Sequence, residues 1–297
     1  MLRFSVARSD GAFVRVPART AHGIDLEFGA GKPTRITAPS ATIATAIPSV
    51  DIPELPAALI GKLRSARSVV ALTGGGLAAE SGVPSLSAAR TGMWAGFDPL
   101  ELATPAAFAR NPKLVWDWYA WRRELLADVL PNAGHVALAD LARHVPGCLV
   151  VTLNVDGLHQ RAGTTNIVEL HGNLRRARCS RDGTPAASWD DSSPRLAPTC
   201  AGCGAPLRPD VVWFEESIGD DVVVAVERAA RGCDVLLVVG TAAEAYPAAL
   251  LPAYAHHHGA TVVEINARPT RLTPRVDVVL RGSAADVLPA LLRAAFG

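Results

Sequence analysis

The sequence predicts an α/β protein built on a doubly wound parallel sheet, with a small cysteine-bearing module inserted into it. Short, continuously apolar runs alternate with stretches of helical periodicity from about residue 55 onwards, and buried parallel strands have this composition. Several of these runs end in glycine or in polar side chains. In an open α/β sheet, the ligand crevice lies just beyond the carboxyl ends of the strands, so these residues predict a binding site.

Composition limits the classes of protein that the chain can represent. It has 297 residues, 49% of them hydrophobic, and a formal net charge of +1, which fits one large domain, or one large and one small. Near-neutral charge gives no electrostatic reason to expect nucleic acid or an acidic membrane surface as partner. No run approaches the roughly 20 apolar residues of a membrane span, and the N-terminus lacks the apolar core of a secretion signal. We therefore expect a cytoplasmic protein.

The first 50 residues differ from the rest of the chain. They hold two short alternating patches, at residues 13–16 and 24–28, and a segment rich in Thr, Ala and Pro at residues 37–48. This pattern predicts a hairpin-like or loosely packed extension over residues 1–50, with no chemistry that the sequence assigns. The main domain is then expected to occupy residues 51–297.

The main domain begins with a helix, a strand and a glycine-rich turn. Helical periodicity covers Leu55–Arg64, and the apolar run Ser68–Thr73 leads directly into Gly74, Gly75 and Gly76. A strand, a glycine cluster and a helix-forming stretch in this order let backbone N–H groups approach a pyrophosphate. The turn therefore predicts a dinucleotide.

Two further helices follow, at Pro105–Phe108 and Leu114–Leu130, before Pro131–His135 begins another. The second carries a stripe of aromatic residues, which is typical of a packed core. It also places Tyr119 and Arg122 on one helix face. A hydroxyl beside a guanidinium makes a natural receptor for a carboxylate, so this pair is a candidate substrate contact.

The candidate catalytic residues lie between residues 149 and 172. The apolar run Cys148–Thr152 ends in Asn154 and Asp156, and a second apolar patch, Ile167–Leu170, is followed by His171. A histidine near neutral pKa at a strand end is a candidate general base. The alternative interpretation is a capped strand and a surface histidine.

The cysteines predict a zinc-ribbon-like module at about residues 175–207. Their number, five in a chain without an evident export signal, favours reduced thiols or metal ligands over disulfides. Cys200 and Cys203 form one CxxC pair, and Cys179 lies upstream in a polar stretch, Arg175–Pro198, predicted to be irregular. Asp182 occupies the position at which a CxxC pair beginning at Cys179 would have its second cysteine. The fourth zinc ligand would then be Asp182 or a water.

The last third of the chain returns to alternating strands and helices. The predicted strands are Val211–Phe214, Asp234–Val239, Thr261–Ile265 and Asp277–Leu280, and the predicted helices are Asp220–Arg231, Pro247–His258 and Ala284–Phe296. Gly240 and Thr241 follow one of these strands, and Asn266 follows the next. Polar residues at successive strand ends extend the predicted ligand crevice.

These segments, in this order, resemble the sirtuins, a family of NAD-dependent protein lysine deacylases, over residues 55–295. The matching segments are Thr73-Gly74-Gly75-Gly76, Glu80-Ser81-Gly82-Val83-Pro84, Asn154-Val155-Asp156-Gly157-Leu158-His159, His171-Gly172, Arg208-Pro209-Asp210-Val211-Val212-Trp213-Phe214, Gly240-Thr241, Tyr246-Pro247-Ala248-Ala249 and Ile265-Asn266. The resemblance implies a Rossmann-like large domain. Tyr119-Ala120-Trp121-Arg122 is similar to the Tyr-x-x-Arg pair of the branch that removes succinyl and malonyl groups.

The resemblance also implies a role for each candidate residue. His171 would act as general base on a ribose hydroxyl while nicotinamide leaves and O-acyl-ADP-ribose forms, and Asn154 and Asp156 would line the nicotinamide and ribose pocket. The acylated lysine peptide would add as a strand beside Val212-Trp213-Phe214. The implied contacts to NAD come from Gly74, Gly75, Gly76, Glu80, Asn154, Asp156, His171, Gly240, Thr241, Asn266 and Ala284.

The chain departs from the family pattern at several positions around the expected ribose site. Leu86 and Ser87 replace a phenylalanine and an arginine, and Leu153 replaces a glutamine. Ala78 and Ala242 replace serines, and Glu215 replaces the glycine of a Phe-Gly-Glu turn. These changes leave two alternatives to a deacylase: an NAD- or ADP-ribose-binding protein without efficient chemistry, and an enzyme of NAD hydrolysis or ADP-ribosyl transfer.

Overall fold

The computed structural model describes residues 5–7, 13–15, 53–84, 96–190, 193 and 195–297. The chain divides into two units, Met1–Pro48 and Ser49–Gly297. In the first unit, strands β1 (Ser5–Ala7) and β2 (Phe13–Arg15) pair in antiparallel fashion. Strand β2 lies within the first alternating patch of the sequence, whereas the second patch, residues 24–28, lies outside the described residues.

The second unit alternates strands and helices. Its strands are β3 (Ser68–Thr73), β4 (Gly147–Thr152), β5 (Ile167–Glu169), β6 (Gly172–Cys179), β7 (Leu207–Val211), β8 (Val235–Val239), β9 (Thr261–Asn266) and β10 (Val278–Arg281). Its helices are α1 (Ala57–Ser65), α2 (Gly75–Ala79), α3 (Pro99–Leu102), α4 (Pro105–Arg110), α5 (Pro112–Leu125), α6 (Ala133–His144), α7 (Leu158–Arg161), α8 (Asp220–Gly232), α9 (Leu251–His257) and α10 (Ala284–Phe296). Among the described residues, no helix is both long enough and apolar enough to cross a membrane.

Six strands form one parallel sheet in the order β10-β9-β8-β3-β4-β5. The chain starts at β3 in the middle, proceeds outward through β4 to β5, and then returns to the other side of β3 for β8, β9 and β10. The strand order therefore reverses between β3 and β8, and ligands bind at such a reversal beyond the carboxyl ends of the strands. The doubly wound, Rossmann-like sheet predicted from the sequence is confirmed.

Helices cover both faces of this sheet because the side chains of a strand alternate between the two faces. In β3, Val69 and Ala71 face a core that α1, α6 and α10 complete, while Val70 and Leu72 face a core that α8 and α9 complete. All four side chains are buried. A fully buried strand needs apolar residues at every position, which is why β3 reads as a continuous apolar run.

Two capping interactions fix the helices that border the site. The Asn132 side chain accepts hydrogen bonds from the first turn of α6, and the ring of His135 accepts one from the Asn132 amide in return. The carboxylate of Glu80 accepts from the amides of Ala284 and Ala285, each at 2.8 Å, at the first turn of α10. A carboxylate is favourable there because it satisfies free N–H groups at the positive end of the helix.

A second layer, formed by α3 to α5 and the antiparallel pair β6–β7, stands beside the sheet. Trp118 and Tyr119 of α5 pack with Val211 and Trp213 in one cluster. Trp116 of the same helix belongs to a separate, small cluster. There it packs with Cys179 and with apolar residues near Cys200 and Cys203. Helix α5 therefore packs against both the β6–β7 pair and the cysteine segment.

The structure corrects three element boundaries. The strand predicted at Val211–Phe214 lies at Leu207–Val211, and part of the stretch predicted to be irregular pairs with it as β6. The predicted helix Leu114–Leu130 already ends at Leu125. Pairing between β6 and β7 joins segments far apart in the sequence, so local periodicity carries no signal for it.

Candidate active site

The glycine-rich turn after β3 is bonded to the loop after β8. The amide of Gly74 donates to the carbonyl oxygen of Val239 at 3.1 Å, and that of Gly76 donates to Gly240 at 2.7 Å. A Cβ atom on Gly74 would lie 2.6 Å from the Cβ of Thr241, and one on Gly76 would lie 2.8 Å from the Cα of Gly240. These two glycines are needed because two loops of the protein touch. The approach of a pyrophosphate to these glycines, which the sequence pattern predicts, remains a prediction.

Gly75 differs from its two neighbours. A Cβ atom built on Gly75 meets no other atom within 4 Å, and the residue lines a cavity. Of the three glycines predicted to hold the cofactor, Gly75 is thus the one that borders open space.

This first cavity has a volume of about 230 Å³ and lies between the glycine turn and the carboxyl end of β4. Both polar residues predicted to follow β4, Asn154 and Asp156, are in its wall. Its lining residues are Gly75, Ala78, Ala79, Val83, Pro84, Arg122, Leu125, Leu126, Leu153, Asn154, Val155, Asp156 and Leu174.

Hydrogen bonds hold Asn154 and Asp156 in fixed orientations. The side-chain amide of Asn154 donates to the carbonyl oxygen of Gly74 at 3.0 Å, which connects β4 to the glycine turn. The carboxylate of Asp156 accepts from the amide of Leu158 at 2.8 Å. Burial of Asp156 raises the pKa of its carboxyl group above the ordinary value. The cavity therefore presents polar groups that are already oriented.

A buried polar network lies beneath Asn154. The backbone amide of Asn154 donates to Thr152 Oγ1 at 3.1 Å, and Thr73 Oγ1 donates to the same atom at 2.9 Å. Thr73 Oγ1 also lies 2.9 Å from Nε2 of His159, whose ring centroid is 4.8 Å from that of His135. Burial lowers the pKa of His159 to about 3 and that of His135 to about 4, so both rings are neutral at neutral pH.

A second cavity, of about 670 Å³, contains the candidate base and the predicted substrate contacts. Arg122, Leu153 and Val155 line this cavity and the first one, so they form a common wall. The lining residues of the second cavity are Ala103, Tyr119, Arg122, Leu153, Val155, His171, Val211, Val212, Trp213, Phe214, Glu215, Glu216, Ser217, Ile218, Asp220, Val223, Ala245 and Tyr246.

His171 is equipped to accept a proton. Its Nδ1 donates to the carbonyl oxygen of Leu153 at 3.2 Å, which places the proton of the neutral ring on Nδ1 and leaves Nε2 with a lone pair. Burial lowers the pKa of His171 below the ordinary value, against a smaller opposite effect of this hydrogen bond. The ring is thus neutral and oriented, as a general base requires.

Tyr119 and Arg122 meet in the second cavity, as the sequence predicts. The guanidinium carbon of Arg122 lies 5.1 Å from the ring centroid of Trp118 and 5.7 Å from that of Tyr119. Burial lowers the pKa of Arg122, and it raises the pKa of Tyr119 to about 12. Asp117 of the same helix pairs with Lys113, and within the described ranges Arg122 has no carboxylate partner.

The remaining predicted cofactor residues surround the strand ends. Asn266 donates from its side chain to the carbonyl oxygen of Thr241 at 3.3 Å. The amide of Ala284 donates a hydrogen bond to the carboxylate of Glu80 at the first turn of α10, so both residues already have a structural role. Their contacts to NAD remain predictions.

The segment Val212–Phe214 does not form the edge strand that the sequence suggested. The amide of Val212 donates to the carbonyl oxygen of His171 at 3.0 Å, and that of Phe214 donates to Ala103 at 2.9 Å. The amide of Trp213 donates to the carboxylate of Glu216 at 2.9 Å. All three N–H groups bond within the protein, so a peptide added beside this segment would have to donate to its carbonyl oxygens. The peptide contact at Val212–Phe214 remains a prediction.

The three predicted thiol ligands come together. The sulfur atoms of Cys179, Cys200 and Cys203 all lie within 4.8 Å of one another. Thiolates at this separation fit a zinc ion. Asp182 is not part of this group: its carboxylate accepts from the amide of Thr184 at 2.9 Å, and hydrogen bonds from Thr184 and Cys179 lower its pKa. Its role as fourth ligand remains a prediction.

Two residues that line the first cavity were not predicted from the sequence. Leu125 and Leu126 line the first cavity from the end of α5. As apolar residues on a helix, they had no signal that separated them from the core. Leu86 and Ser87 lie outside the described residues. Leu153, by contrast, lines both cavities and packs against the core on one face of the sheet.

Comparison with known proteins identifies relatives of this chain. The model of the Sir2 family matches residues 74–247. An NAD-dependent protein deacylase of Pyrobaculum aerophilum is 48% identical over 230 residues, 77% of this chain and 92% of that protein. One from Pseudomonas aeruginosa is 44% identical over 246 residues, 80% of this chain and 98% of that protein.

Solved structures show the same likeness. A complex of a Sir2 homologue with NAD is 40% identical and superposes with a TM-score of 0.75, covering 82% of this chain and 94% of that one. The segment that matches the family model contains the glycine turn, Asn154, His171 and Gly240. On this match and on the identity to the named relatives, the chain belongs to the Sir2 family, the sirtuins.

Proposed function

We propose that this sirtuin, an NAD-dependent protein deacylase, favours acidic acyl groups such as succinyl and malonyl on lysine. The observation that carries the preference is Arg122, a partly buried guanidinium without a carboxylate partner among the described residues, in the same cavity as His171 and Tyr119. A buried cation is costly unless an anion compensates it. A carboxylate at the end of the acyl chain would supply that anion.

The two cavities suit the two substrates. NAD would occupy the first cavity, against Gly75, Asn154 and Asp156, and would supply an electrophilic ribose carbon with nicotinamide as leaving group. The acyl-lysine would enter the second cavity and reach the first across the wall that contains Leu153. His171 Nε2 would accept a proton from a ribose hydroxyl, which permits its oxygen to bond to the acyl carbon. One water would be consumed and the lysine amine would leave, so that the products are nicotinamide, free lysine and O-acyl-ADP-ribose.

The expected preference follows from the strength of a charge-assisted hydrogen bond. Such a bond contributes about 1.5–3 kcal/mol, which is roughly 10- to 150-fold in rate. The hydroxyl of Tyr119 adds a donor beside the guanidinium, and its high pKa keeps it protonated. An acetyl group ends in a methyl and makes no use of either donor.

One peptide sequence with acetyl-, succinyl- and malonyl-lysine tests the proposal, with nicotinamide release and product mass as measurements. Faster turnover of the two acidic peptides is expected, and Arg122→Met should remove or reverse this preference. Arg110→Met is the matched control, because Arg110 is exposed on α4 and lines neither cavity. Equal or better activity on acetyl-lysine, unchanged in Arg122→Met, would contradict the proposal.

A second candidate function rests on Leu153. This residue lines both cavities at the position where the family pattern has a polar residue, and its apolar side chain offers no hydrogen bond there. Each lost polar contact to the reacting ribose would cost roughly 1–3 kcal/mol of transition-state stabilisation. The candidate is a protein that binds NAD or ADP-ribose without efficient turnover. Binding by calorimetry without nicotinamide release from any of the three peptides would favour it.

A further inference from the structure

Glu215 has a backbone conformation that is unfavourable for its side chain. Its φ angle is 69°, in the left-handed region where glycine is preferred. The residue is exposed and lines the second cavity. A glutamate here is not explained by folding, because glycine would relieve the strain. Strained residues that persist at the wall of a binding site often serve that site.

The neighbouring residue, Glu216, has hydrogen-bond partners for its carboxylate, and Glu215 does not. Glu216 receives two hydrogen bonds from Arg208, at 2.6 and 2.7 Å, and a third from the amide of Trp213. These bonds lower the pKa of Glu216 and use both of its oxygen atoms. Within the part of the chain that the structure describes, Glu215 forms neither a hydrogen bond nor an ion pair.

Charges of both signs line the second cavity. Arg122 is partly buried, whereas Glu215 and Asp220 are exposed and therefore lie at its solvent side. Two large apolar side chains of the same cavity are also exposed: Phe214 by 46% and Tyr246 by 61%. A ligand that complements this cavity carries an anion toward the interior and a cation toward solvent.

We infer that Glu215 selects peptides with a lysine or arginine next to the acylated lysine. The inference rests on the proposed function, in which the second cavity receives the acyl-lysine. The carboxylate of Glu215 attracts the basic head group, and Phe214 and Tyr246 pack against its methylene stem and offer aromatic faces to its charge. Arg122 then binds the acidic acyl group, and Glu215 binds the basic side chain next to the acylated lysine.

Two fluorescein-labelled succinyl-lysine peptides test the inference, one with lysines and one with glutamates on both sides of the modified residue. Binding is measured by anisotropy and turnover by nicotinamide release, at low and at high salt. The lysine-flanked peptide should bind and react better by roughly 1.5- to fivefold at low salt, the size of an exposed charge pair, and salt should reduce the difference.

Three variants separate charge from backbone strain. Glu215→Gln keeps the shape and loses the charge, Glu215→Asn also loses the charge but suits a left-handed backbone, and Glu215→Asp keeps the charge. The first two should lose the flank preference and the third should retain part of it. Glu124→Gln, at an exposed position outside both cavities, is the matched control. Thermal unfolding verifies that each variant is folded.

The outcomes distinguish this inference from the proposed function. Turnover that depends on Arg122 without any flank preference overturns the inference alone. A preference that persists unchanged in Glu215→Gln and Glu215→Asn also overturns it. If no peptide reacts, the anisotropy measurement still decides it, and absence of binding by all peptides overturns the inference together with the proposed function.

Discussion

The Nδ1 atom of His171 donates a hydrogen bond to the carbonyl oxygen of Leu153, 3.2 Å away. The bond connects the candidate base to a residue that borders both cavities. It sets the tautomer of the ring, and its geometry depends on the backbone of Leu153, not on its side chain. The base is therefore correctly oriented even though the side chain at position 153 departs from the family pattern.

The pH dependence of turnover should reflect the lowered pKa of His171. The neutral ring accepts a proton and the protonated ring does not, so activity falls as pH drops through the pKa of the base. Because burial holds that pKa below 6.5, the acid limb of kcat/KM should lie below pH 6.5. Nicotinamide release measured between about pH 5 and 8 shows this limb.

His171→Asn should reduce turnover by roughly 10²- to 10⁴-fold, the usual contribution of a general base. His258→Asn, at an exposed position outside both cavities, should leave turnover unchanged. An acid limb at or above pH 6.5, or full activity of His171→Asn, would contradict the assignment of the base.

The glycine turn offers two substitutions with opposite expected effects. Gly75→Asp adds a negative charge at the wall of the first cavity without a steric conflict, so NAD binding should be lost while thermal stability is kept. Gly76→Ala brings a Cβ to 2.8 Å from Gly240 and should destabilise the fold by about 1–3 kcal/mol. Calorimetry with NAD and thermal unfolding measure the two effects.

Gly75→Ala is the neutral control and should keep both binding and stability. Undiminished affinity of Gly75→Asp for NAD would show that the cofactor does not lie against this turn. A Gly76→Ala variant as stable as the wild type would show instead that the two loops can separate at no cost.

The cysteine cluster should hold zinc. Purified protein, prepared without chelator, is expected to contain about one equivalent of zinc, because three thiolates suit a tetrahedral site with one further ligand. Cys203→Ser should lose the metal. Asp182→Ala should weaken binding if its carboxylate is the fourth ligand, and have no effect if a water is. Elemental analysis and thermal unfolding with a chelator decide between these results.

Cys233→Ala serves as control, since this buried thiol lies outside the cluster. Protein free of metal, with an unfolding temperature that neither zinc nor chelator changes, would show that the three thiols have no metal-binding role.

The buried pair His135 and His159 should make the fold sensitive to acid. Their folded-state pKa values, about 4 and about 3, lie below the ordinary 6.5. Below pH 6.5 the unfolded chain therefore binds protons that the folded chain does not. The stability linked to these rings is complete above pH 6.5 and is lost as pH falls toward the folded-state values, by up to about 1.4 kcal/mol per pH unit for each ring.

Urea unfolding at about pH 7, 6 and 5 measures this slope as a change in the free energy of unfolding. His135→Gln should unfold with a shallower acid dependence than the wild type, even if it is less stable at neutral pH. The exposed variant His258→Gln should match the wild-type slope. An unchanged slope in His135→Gln would mean that the ring is protonated in the folded state.

Local sequence patterns determined the sheet strands, the glycine turn, the polar residues after β4, His171 and the cysteine ligands. Each of these features is encoded within a few residues, because a buried strand, a tight turn or a ligand at a strand end depends on its own side chains and their alternation. Tyr119 and Arg122 were also within reach, since two residues three apart on a helix share a face.

Only the tertiary structure decided how these pieces meet. Gly76 packs directly against the backbone of Gly240, β6 pairs with β7 across an intervening segment, and Leu153 and Arg122 border two cavities at once. In the same way, the sequence shows only that Glu215 replaces a glycine of the family pattern. In the described structure it has a strained backbone and an unpaired carboxylate at a cavity wall. These properties belong to contacts between distant segments, and the packing of the whole domain fixes such contacts where no single stretch of sequence does.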